Sequence, residues 1–284
     1  SILRNSARNM QRIRQMRGVL LQSVEAMRFQ LSKGKFAPAY FEKGFQLKGD
    51  FPLVGKIDRI DLCREDGKAF VKIVDYKSGN KKFALQDLYY GLSLQLPAYM
   101  NAALEFIKEK YPEEETIPAS MLYMRLHNPY VKDSVSDVNH EMRMEMRPQG
   151  VNNESDTVIR LLDEELTDTS EVVRVKMKKD GSLDAKSQTV SEETFQLLLD
   201  YTDHKMQKLM EEMRCGEIGA VPAVIEGEQS DSCSYCAYRG VCRMDTRIPG
   251  YDVRRLEKMP EEIIEEEMRN EVYGPAERSH IDET

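Results

Sequence analysis

An Asp66-Gly67 pair between two runs of alternating apolar residues constrains this chain more than any other feature. The runs cover residues 53–62 and 71–79. Asp-Gly in such a setting is typical of a two-residue β-hairpin turn, because both turn positions need a positive φ. With Asp66 and Gly67 as the turn, the register of the two strands is fixed, and so is the face on which each side chain lies.

This register places Asp58 opposite Asp75, and facing residues of an antiparallel pair lie on the same side of the sheet. Lys77, two residues beyond Asp75, shares that side. The other predicted pairs support the register, since they join apolar to apolar or acid to base: Ile60 with Ile73, Leu62 with Val71, Asp61 with Lys72, and Cys63 with Phe70.

Two facing carboxylates are the unfavourable part of this register, because like charges directly opposite each other repel. A divalent cation between Asp58 and Asp75 would remove the repulsion, and Mg²⁺ prefers hard oxygen ligands of this kind. The Lys77 ammonium would then lie where it can activate a water molecule and stabilise charge on a phosphate. A solvated sheet face that tolerates two acids is the alternative that the residues leave open.

A helix is predicted at about residues 85–110, and it carries Gln95 and Tyr99 four residues apart on one face. Pro97 removes one backbone hydrogen bond, so it predicts either a kink in this helix or the start of a new turn. An amphipathic core helix with one buried amide is the alternative interpretation of Gln95.

Three elements follow one another between residues 55 and 99: Gly-Lys-Ile-Asp58-Arg-Ile-Asp, Val-Asp75-Tyr-Lys77-Ser-Gly, and Ser-Leu-Gln95-Leu-Pro-Ala-Tyr99. In this combination the chain resembles the restriction-endonuclease-like, PD-(D/E)xK nucleases of the RecB type. It looks most like the nuclease domain of the AddB subunits of bacterial AddAB helicase–nucleases, and the resemblance covers roughly residues 36–245.

The resemblance implies an α/β fold with a restriction-endonuclease-like core, in which helices flank a mixed central β-sheet. It implies a DNA exonuclease that uses Mg²⁺ or Mn²⁺, with Asp58 and Asp75 as metal ligands and Lys77 assisting the water. Gln95 and Tyr99 would lie beside the active site and the DNA. The implied role is the trimming of DNA ends in double-strand-break repair, with an AddA-like partner subunit.

Two other functions stay open at this point. One is a stand-alone or CRISPR-associated exonuclease of the same superfamily. The other is a catalytically idle DNA-binding scaffold, which the presence of Asp58, Asp75 and Lys77 together disfavours.

Charge and hydropathy exclude some classes of protein. The net charge of −8 argues against a generally basic nucleic-acid-binding coat, although the basic residues are concentrated in residues 1–35. For that basic segment, a solvated helix face and a contact with the DNA backbone are both open. No apolar run approaches the ~20 residues of a membrane span, and the chain is predicted to be cytoplasmic.

Three of the five cysteines, Cys233, Cys236 and Cys242, lie within ten residues. Clustered thiols in a cytoplasmic chain favour metal binding over disulfides. Zinc would need a fourth Cys or a His, and a [4Fe–4S] cluster needs four Cys. By resemblance, these three thiols hold a [4Fe–4S] cluster together with a Cys upstream of the core.

No Cys precedes Cys63, and residues 1–57 contain no His, although the family carries a His near its metal. We therefore expect both groups to lie before Ser1, in a longer chain of which this sequence is a fragment. The segment alone is then expected to be a weak nuclease or an inactive one.

The predicted domain organisation is a nuclease domain over residues 1–250 and an acidic tail over residues 251–284. The nuclease domain is divided into a core at 36–126, an insertion at about 128–190 and a Cys-rich loop at 231–243. Local predictions are a helix at 5–32 whose apolar stripe packs in the core, a strand near residues 40–47, a strand at 119–126, a loop at 152–156, a strand at 172–177 and a helix capped by Ser191.

Overall fold

A computed structural model describes residues 6–47, 53–131, 134–226, 232–234, 236–245 and 247–274. The strands of its main sheet are β1 (Ala37–Leu47), β2 (Leu53–Glu65), β3 (Lys68–Lys77), β4 (Glu115–Arg125), β5 (Gln149–Asn153) and β6 (Thr189–Val190), and they lie in that order across the sheet. The sheet is mixed, because β3 pairs in parallel with β4 and β5 with β6, whereas the other neighbours are antiparallel. The predicted α/β architecture with a mixed central sheet is confirmed.

The helices are α1 (Ala7–Ser32), α2 (Leu85–Tyr89), α3 (Gln95–Lys110), α4 (Val138–Glu145), α5 (Asp156–Leu162), α6 (Glu192–Arg214), α7 (Arg239–Cys242) and α8 (Glu261–Tyr273). The chain forms two compact units, one of residues 1–83 and 95–199, the other of residues 84–94 and 200–284. The first unit contains the main sheet. The second contains a small parallel sheet of β7 (Ala223–Ile225) and β8 (Arg254–Leu256).

The β2–β3 hairpin has the predicted register. Asp66 and Gly67 have φ angles of 52° and 75°, which are the left-handed values that a type I′ turn requires. Pairing starts with Glu65 opposite Lys68, and it continues as far as Arg59 opposite Val74, the step before Asp58 and Asp75. The predicted pairs of Asp61 with Lys72 and of Cys63 with Phe70 are both present.

The helix predicted at residues 5–32 is α1, but the predicted burial of its apolar stripe is wrong for the middle of the helix. Met16, Leu20 and Val24 are 64%, 55% and 56% exposed. The buried residues of α1 are Ser23 and Ala26, and Ala26 packs in a cluster with buried side chains of β3 and β4. The apolar period located the helix correctly, but the fully buried residues of the helix are small ones beside the stripe.

The helix predicted at about residues 85–110 is two helices. α2 ends at Tyr89, and α3 begins at Gln95. Pro97 is the third residue of α3, where a backbone N–H has no acceptor within the helix, so the proline costs no hydrogen bond. Of the two predicted effects of Pro97, the start of a new turn is the one observed.

The insertion predicted at about 128–190 contributes to the main sheet through β5 and β6. The loop predicted at 152–156 is wrong, because Asn152 and Asn153 end β5 and Asp156 begins α5. Both asparagines are buried, and the Asn152 amide accepts a hydrogen bond from Ser120 Oγ at 2.8 Å. Their polar side chains find partners inside the protein, which the sequence pattern did not reveal.

The strand predicted at 172–177 is also wrong, since this segment forms only isolated bridges. Its valines, Val172, Val173 and Val175, are nevertheless buried in a core cluster that includes Cys63 and Phe70. The apolar character of the valines correctly predicted their burial. It wrongly predicted that their backbone pairs as a strand.

Two further predictions concern the C-terminal half. The cap of α6 is confirmed, since Ser191 Oγ accepts the Thr194 backbone N–H at 3.0 Å. The segment predicted as an acidic tail includes α8, whose Ile264 and Met268 are buried; residues 275–284 lie outside the described part.

None of the described helices combines the length and the apolarity needed to cross a membrane.

We expect Gly150→Ala to destabilise the fold, because a Cβ atom at this position of β5 would lie 2.1 Å from the Met121 carbonyl oxygen of β4. The free energy of unfolding, measured in urea, should fall by about 2 kcal/mol, as is typical of overpacking. Gly44→Ala is the matched control, because a Cβ at that strand position meets no atom within 4 Å. Equal effects of the two substitutions would contradict this packing.

Candidate active site

Strands β2 and β3 and helix α3 bring the five predicted side chains of the site together. Asp58 comes from β2, and Asp75 and Lys77 come from β3. Gln95 and Tyr99 come from the first two turns of α3, which packs against β3 and β4. All five lie within the first compact unit.

The Gln95 amide links three of the other side chains. Its Nε2 donates to Asp75 Oδ1 at 3.1 Å and to Tyr99 Oη at 3.0 Å. Its Oε1 accepts a hydrogen bond from Lys77 Nζ at 2.9 Å, and Lys77 Nζ also lies 2.5 Å from Asp75 Oδ2. Asp75, Lys77, Gln95 and Tyr99 therefore form one continuous network, in which each side chain has a fixed orientation.

Asp58 is held beside this network by the backbone of β3. Its Oδ2 accepts the Tyr76 N–H at 2.8 Å, and Tyr76 is the residue between Asp75 and Lys77. No described residue donates a hydrogen bond to Asp58 Oδ1. Asp58 thus keeps one carboxylate oxygen free to bind a ligand. It lies on β2, the strand that pairs with the strand of Asp75.

The profile of the PD-(D/E)XK nuclease superfamily matches residues 3–243. The chain belongs to this superfamily.

Relatives of this PD-(D/E)XK chain are named as the B-type subunit of an ATP-dependent helicase/deoxyribonuclease. One from Lachnoclostridium phytofermentans is 33% identical over 273 residues, which cover 93% of this chain and 24% of the relative. Others are from Clostridium botulinum, at 31% identity with 93% and 24% covered, and from Clostridium kluyveri, at 32% identity with 96% and 25% covered. The chain spans about a quarter of the length of these relatives. The resemblance predicted from the sequence is confirmed.

The electrostatics of the PD-(D/E)XK site centre on Asp75, which is 3% exposed. Burial raises the pKa of its carboxyl group above the ordinary value, and the negative charge of Asp58 adds to the rise. The hydrogen bond and charge of Lys77 act in the opposite direction without cancelling it. Among the five side chains of the site, two acids, Asp58 and Asp75, stand against one base, Lys77.

The donor set of this site fits a hard divalent cation, since it offers carboxylate oxygens and a deficit of positive charge. Among the described residues, no group of three or more His, Cys, Asp or Glu side chains could hold a metal ion. The protein would thus supply two carboxylates, Asp58 and Asp75. Mg²⁺ commonly binds through one or two carboxylates and completes its shell with water and phosphate oxygens.

Strand β1 brings an aromatic side chain to the site that the sequence analysis did not identify. The Phe45 ring meets the Tyr99 ring edge to face, with centroids 5.5 Å apart. Its position in an alternating strand was visible in the sequence, but the packing of that strand against α3 was not. Glu42, also on β1, pairs with Lys56 at 2.7 Å and is exposed.

The Cys-rich loop belongs to the second unit and is built from successive turns. The Cys236 N–H donates to the Cys233 carbonyl at 3.2 Å, the Arg239 N–H donates to the Cys236 carbonyl at 3.2 Å, and α7 ends at Cys242. All three thiols are free, and none is buried. Residues 231 and 235 of the predicted loop lie outside the described part.

A four-thiolate cluster does not fit the described residues of this loop by themselves. The loop supplies three cysteines, whereas a [4Fe–4S] cluster takes four. Of the remaining cysteines, Cys63 is buried opposite Phe70 in the first unit, and Cys215 is exposed at the end of α6.

We expect Asp75→Asn to change the pH dependence of stability in the metal-free protein. A carboxyl group whose pKa is raised by folding stabilises the folded state below its unfolded pKa of about 4, and that stabilisation is lost as the pH rises through the folded pKa. The melting temperature of Asp75→Asn, relative to the parent in EDTA, should therefore increase from about pH 4 to about pH 7.

Asp137→Asn provides a control, because folding shifts the pKa of Asp137 in the opposite direction. Hydrogen bonding to the His140 backbone lowers the pKa of Asp137, so its contribution to stability changes only below about pH 4. The melting temperature difference for Asp137→Asn should be flat over the same range. A difference for Asp75→Asn that is flat or falls with pH would contradict a raised pKa.

Proposed function

We propose that this chain is the nuclease domain of an ATP-dependent helicase–nuclease and that it hydrolyses phosphodiester bonds at DNA ends. The observation that carries the proposal is the network of Asp75, Lys77, Gln95 and Tyr99 with Asp58 held beside it. Membership of a nuclease superfamily and the names of the relatives support the same function.

In this proposal Asp58 and Asp75 hold Mg²⁺ or Mn²⁺. When bound between these two carboxylates, such an ion would supply Lewis-acid chemistry and would make a nearby water more acidic. The Lys77 ammonium, restrained by Asp75 and Gln95, orients the attacking water and stabilises the charge that develops on the phosphate. Gln95 fixes the Lys77 position, and the Tyr99 hydroxyl at the edge of the network contacts the DNA strand.

The proposed setting is cytoplasmic repair of double-strand breaks by recombination, in which the domain trims DNA that a helicase unwinds. The relatives are named as one subunit of a helicase/deoxyribonuclease, and such a name supports the existence of a partner subunit. We propose an AddA-like protein as that partner.

We expect Lys77→Met to reduce cleavage of linear duplex DNA in Mg²⁺ by about 100-fold or more, because it removes a preorganised charge next to the phosphate. Asp75→Asn should reduce cleavage at least as much. The measurement is release of acid-soluble nucleotides by the full-length protein with its partner subunit.

Lys68→Met is the matched control for Lys77→Met. Lys68 lies at the turn end of the same strand β3, where it is about half exposed and forms only a surface ion pair with Glu115. Exposed pairs of this kind contribute little to stability, so cleavage should stay at the parental rate. Parental activity in Lys77→Met and Asp75→Asn would show that the active site lies elsewhere.

We also propose that Cys233, Cys236 and Cys242 bind a [4Fe–4S] cluster in the full-length protein, with a fourth ligand from outside this loop. Three exposed or half-exposed thiols on consecutive turns support the proposal, because thiolates are the usual ligands of such clusters.

In the full-length protein purified without oxygen, Cys236→Ser should lower iron and acid-labile sulfide by more than half. A cluster short of one thiolate is open to solvent and is lost on handling. Cys63→Ala is the control and should retain the parental iron content, since Cys63 is buried in an apolar core cluster of the first unit. Iron-free parental protein, or unchanged iron in Cys236→Ser, would count against the cluster.

A further inference from the structure

A buried ionic cluster lies on β2 and β3, and the proposed function gives it no role. Asp61 is fully buried, and its carboxylate lies 2.8 Å from Arg59 Nε and 3.0 Å from Lys72 Nζ. Side chains alternate along a strand, so Arg59 and Asp61 lie on the face of β2 opposite to Asp58. The cluster is therefore separated from the candidate active site by the thickness of the sheet.

Arg59 also connects this cluster to a tyrosine near the C-terminal end of β3. Its Nη1 donates a hydrogen bond to Tyr76 Oη at 2.9 Å, and the guanidinium is almost completely buried. Met27 of α1 covers both groups, with its sulfur 3.5 Å from Arg59 Nη1 and 3.3 Å from Tyr76 Oη. The link is thus a protected hydrogen bond rather than a surface contact.

The same two residues are covalent neighbours of the acids. Arg59 follows Asp58, and Tyr76 follows Asp75. At the candidate active site, the Tyr76 backbone N–H donates to Asp58 Oδ2 at 2.8 Å. The contacts therefore form a closed ring: from the Asp58 carboxylate to the Tyr76 backbone, through the Tyr76 side chain to Arg59, and along β2 back to Asp58.

The energetic cost of the buried charges indicates that they fix the geometry of the ring more than they stabilise the fold. Removing charges from water is costly, and buried ion pairs often stabilise a fold no better than apolar residues of similar size. A metal site, in contrast, needs its ligands held within about 0.5 Å of the productive geometry. The ordinary β2–β3 ladder ends at Arg59 and Val74, so backbone pairing alone does not set the distance between the acids at the next step.

We propose that Arg59 and the Tyr76 hydroxyl are positioning residues, which fix the spacing of Asp58 and Asp75 from behind the sheet and so set the affinity for the divalent metal ion. This inference rests on the proposed function, in which the two acids are the metal ligands. Arg59 and the Tyr76 hydroxyl lie on the face of the sheet opposite to the two acids, so they would act through the acids rather than on the metal ion.

Tyr76→Phe tests the inference, because it keeps the ring and the backbone N–H to Asp58 and removes only the hydroxyl. The dissociation constant for Mn²⁺, measured by calorimetry without DNA, should rise about 10-fold, as is typical when support of a metal ligand is lost. Cleavage at saturating Mn²⁺ should return close to the parental rate. Arg59→Lys keeps a cation beside Asp61 but loses the fork that reaches Tyr76, and it should raise the dissociation constant similarly.

Tyr201→Phe is the matched control, since its buried hydroxyl donates to the Tyr89 carbonyl at 2.8 Å within the second unit. It should lower the melting temperature without changing Mn²⁺ affinity. A parental dissociation constant in folded Tyr76→Phe, or an equal rise in Tyr201→Phe, would overturn the inference.

Asp75→Asn separates this failure from failure of the proposed function. If Asp75→Asn abolishes Mn²⁺ binding while Tyr76→Phe and Arg59→Lys bind like the parent, the positioning role is wrong and the metal site stands. If Asp75→Asn also binds Mn²⁺ like the parent, the proposed metal site itself is wrong, and the positioning role falls with it.

Discussion

The two-residue turn at Asp66 and Gly67 is the constraint on which the rest of the site depends. Its left-handed backbone allows one register between β2 and β3, and that register, paired as far as Arg59 and Val74, directs Asp58 and Asp75 to the same face of the sheet. A shift of one residue in β2 would place Asp58 on the face opposite to Asp75. It would also move Arg59 and Asp61 to the other face. Local turn chemistry thus decides where the charges of the domain lie.

Both faces of the hairpin concentrate charge, and each face balances it differently. On the face that Met27 of α1 covers, the charge of Asp61 is balanced by Arg59 and Lys72. On the face of the candidate site, Lys77 pairs with Asp75, and burial nevertheless keeps the pKa of Asp75 raised. Two acids beside one lysine form a balance of charge that would favour a divalent cation.

Features that depend on neighbouring residues in the sequence could be predicted, and features that depend on distant packing could not. The hairpin register and the contact of Gln95 with Tyr99 follow from turn type and helical spacing. The exposure of Met16 and the burial of Asn152 depend on which surfaces meet in the folded chain. The bond from Arg59 to Tyr76 combines both, since the register places the two residues near each other and Met27 of α1 covers them.

Helix α3 lies in the connection between two parallel strands, β3 and β4. Parallel pairing requires the whole connection to cross over, which takes longer than closing a two-residue turn. A chain that has formed only the hairpin has the two acids but lacks the amide and phenol that α3 contributes. The complete set of candidate catalytic groups therefore exists only in a chain in which α3 has packed against the paired strands β3 and β4.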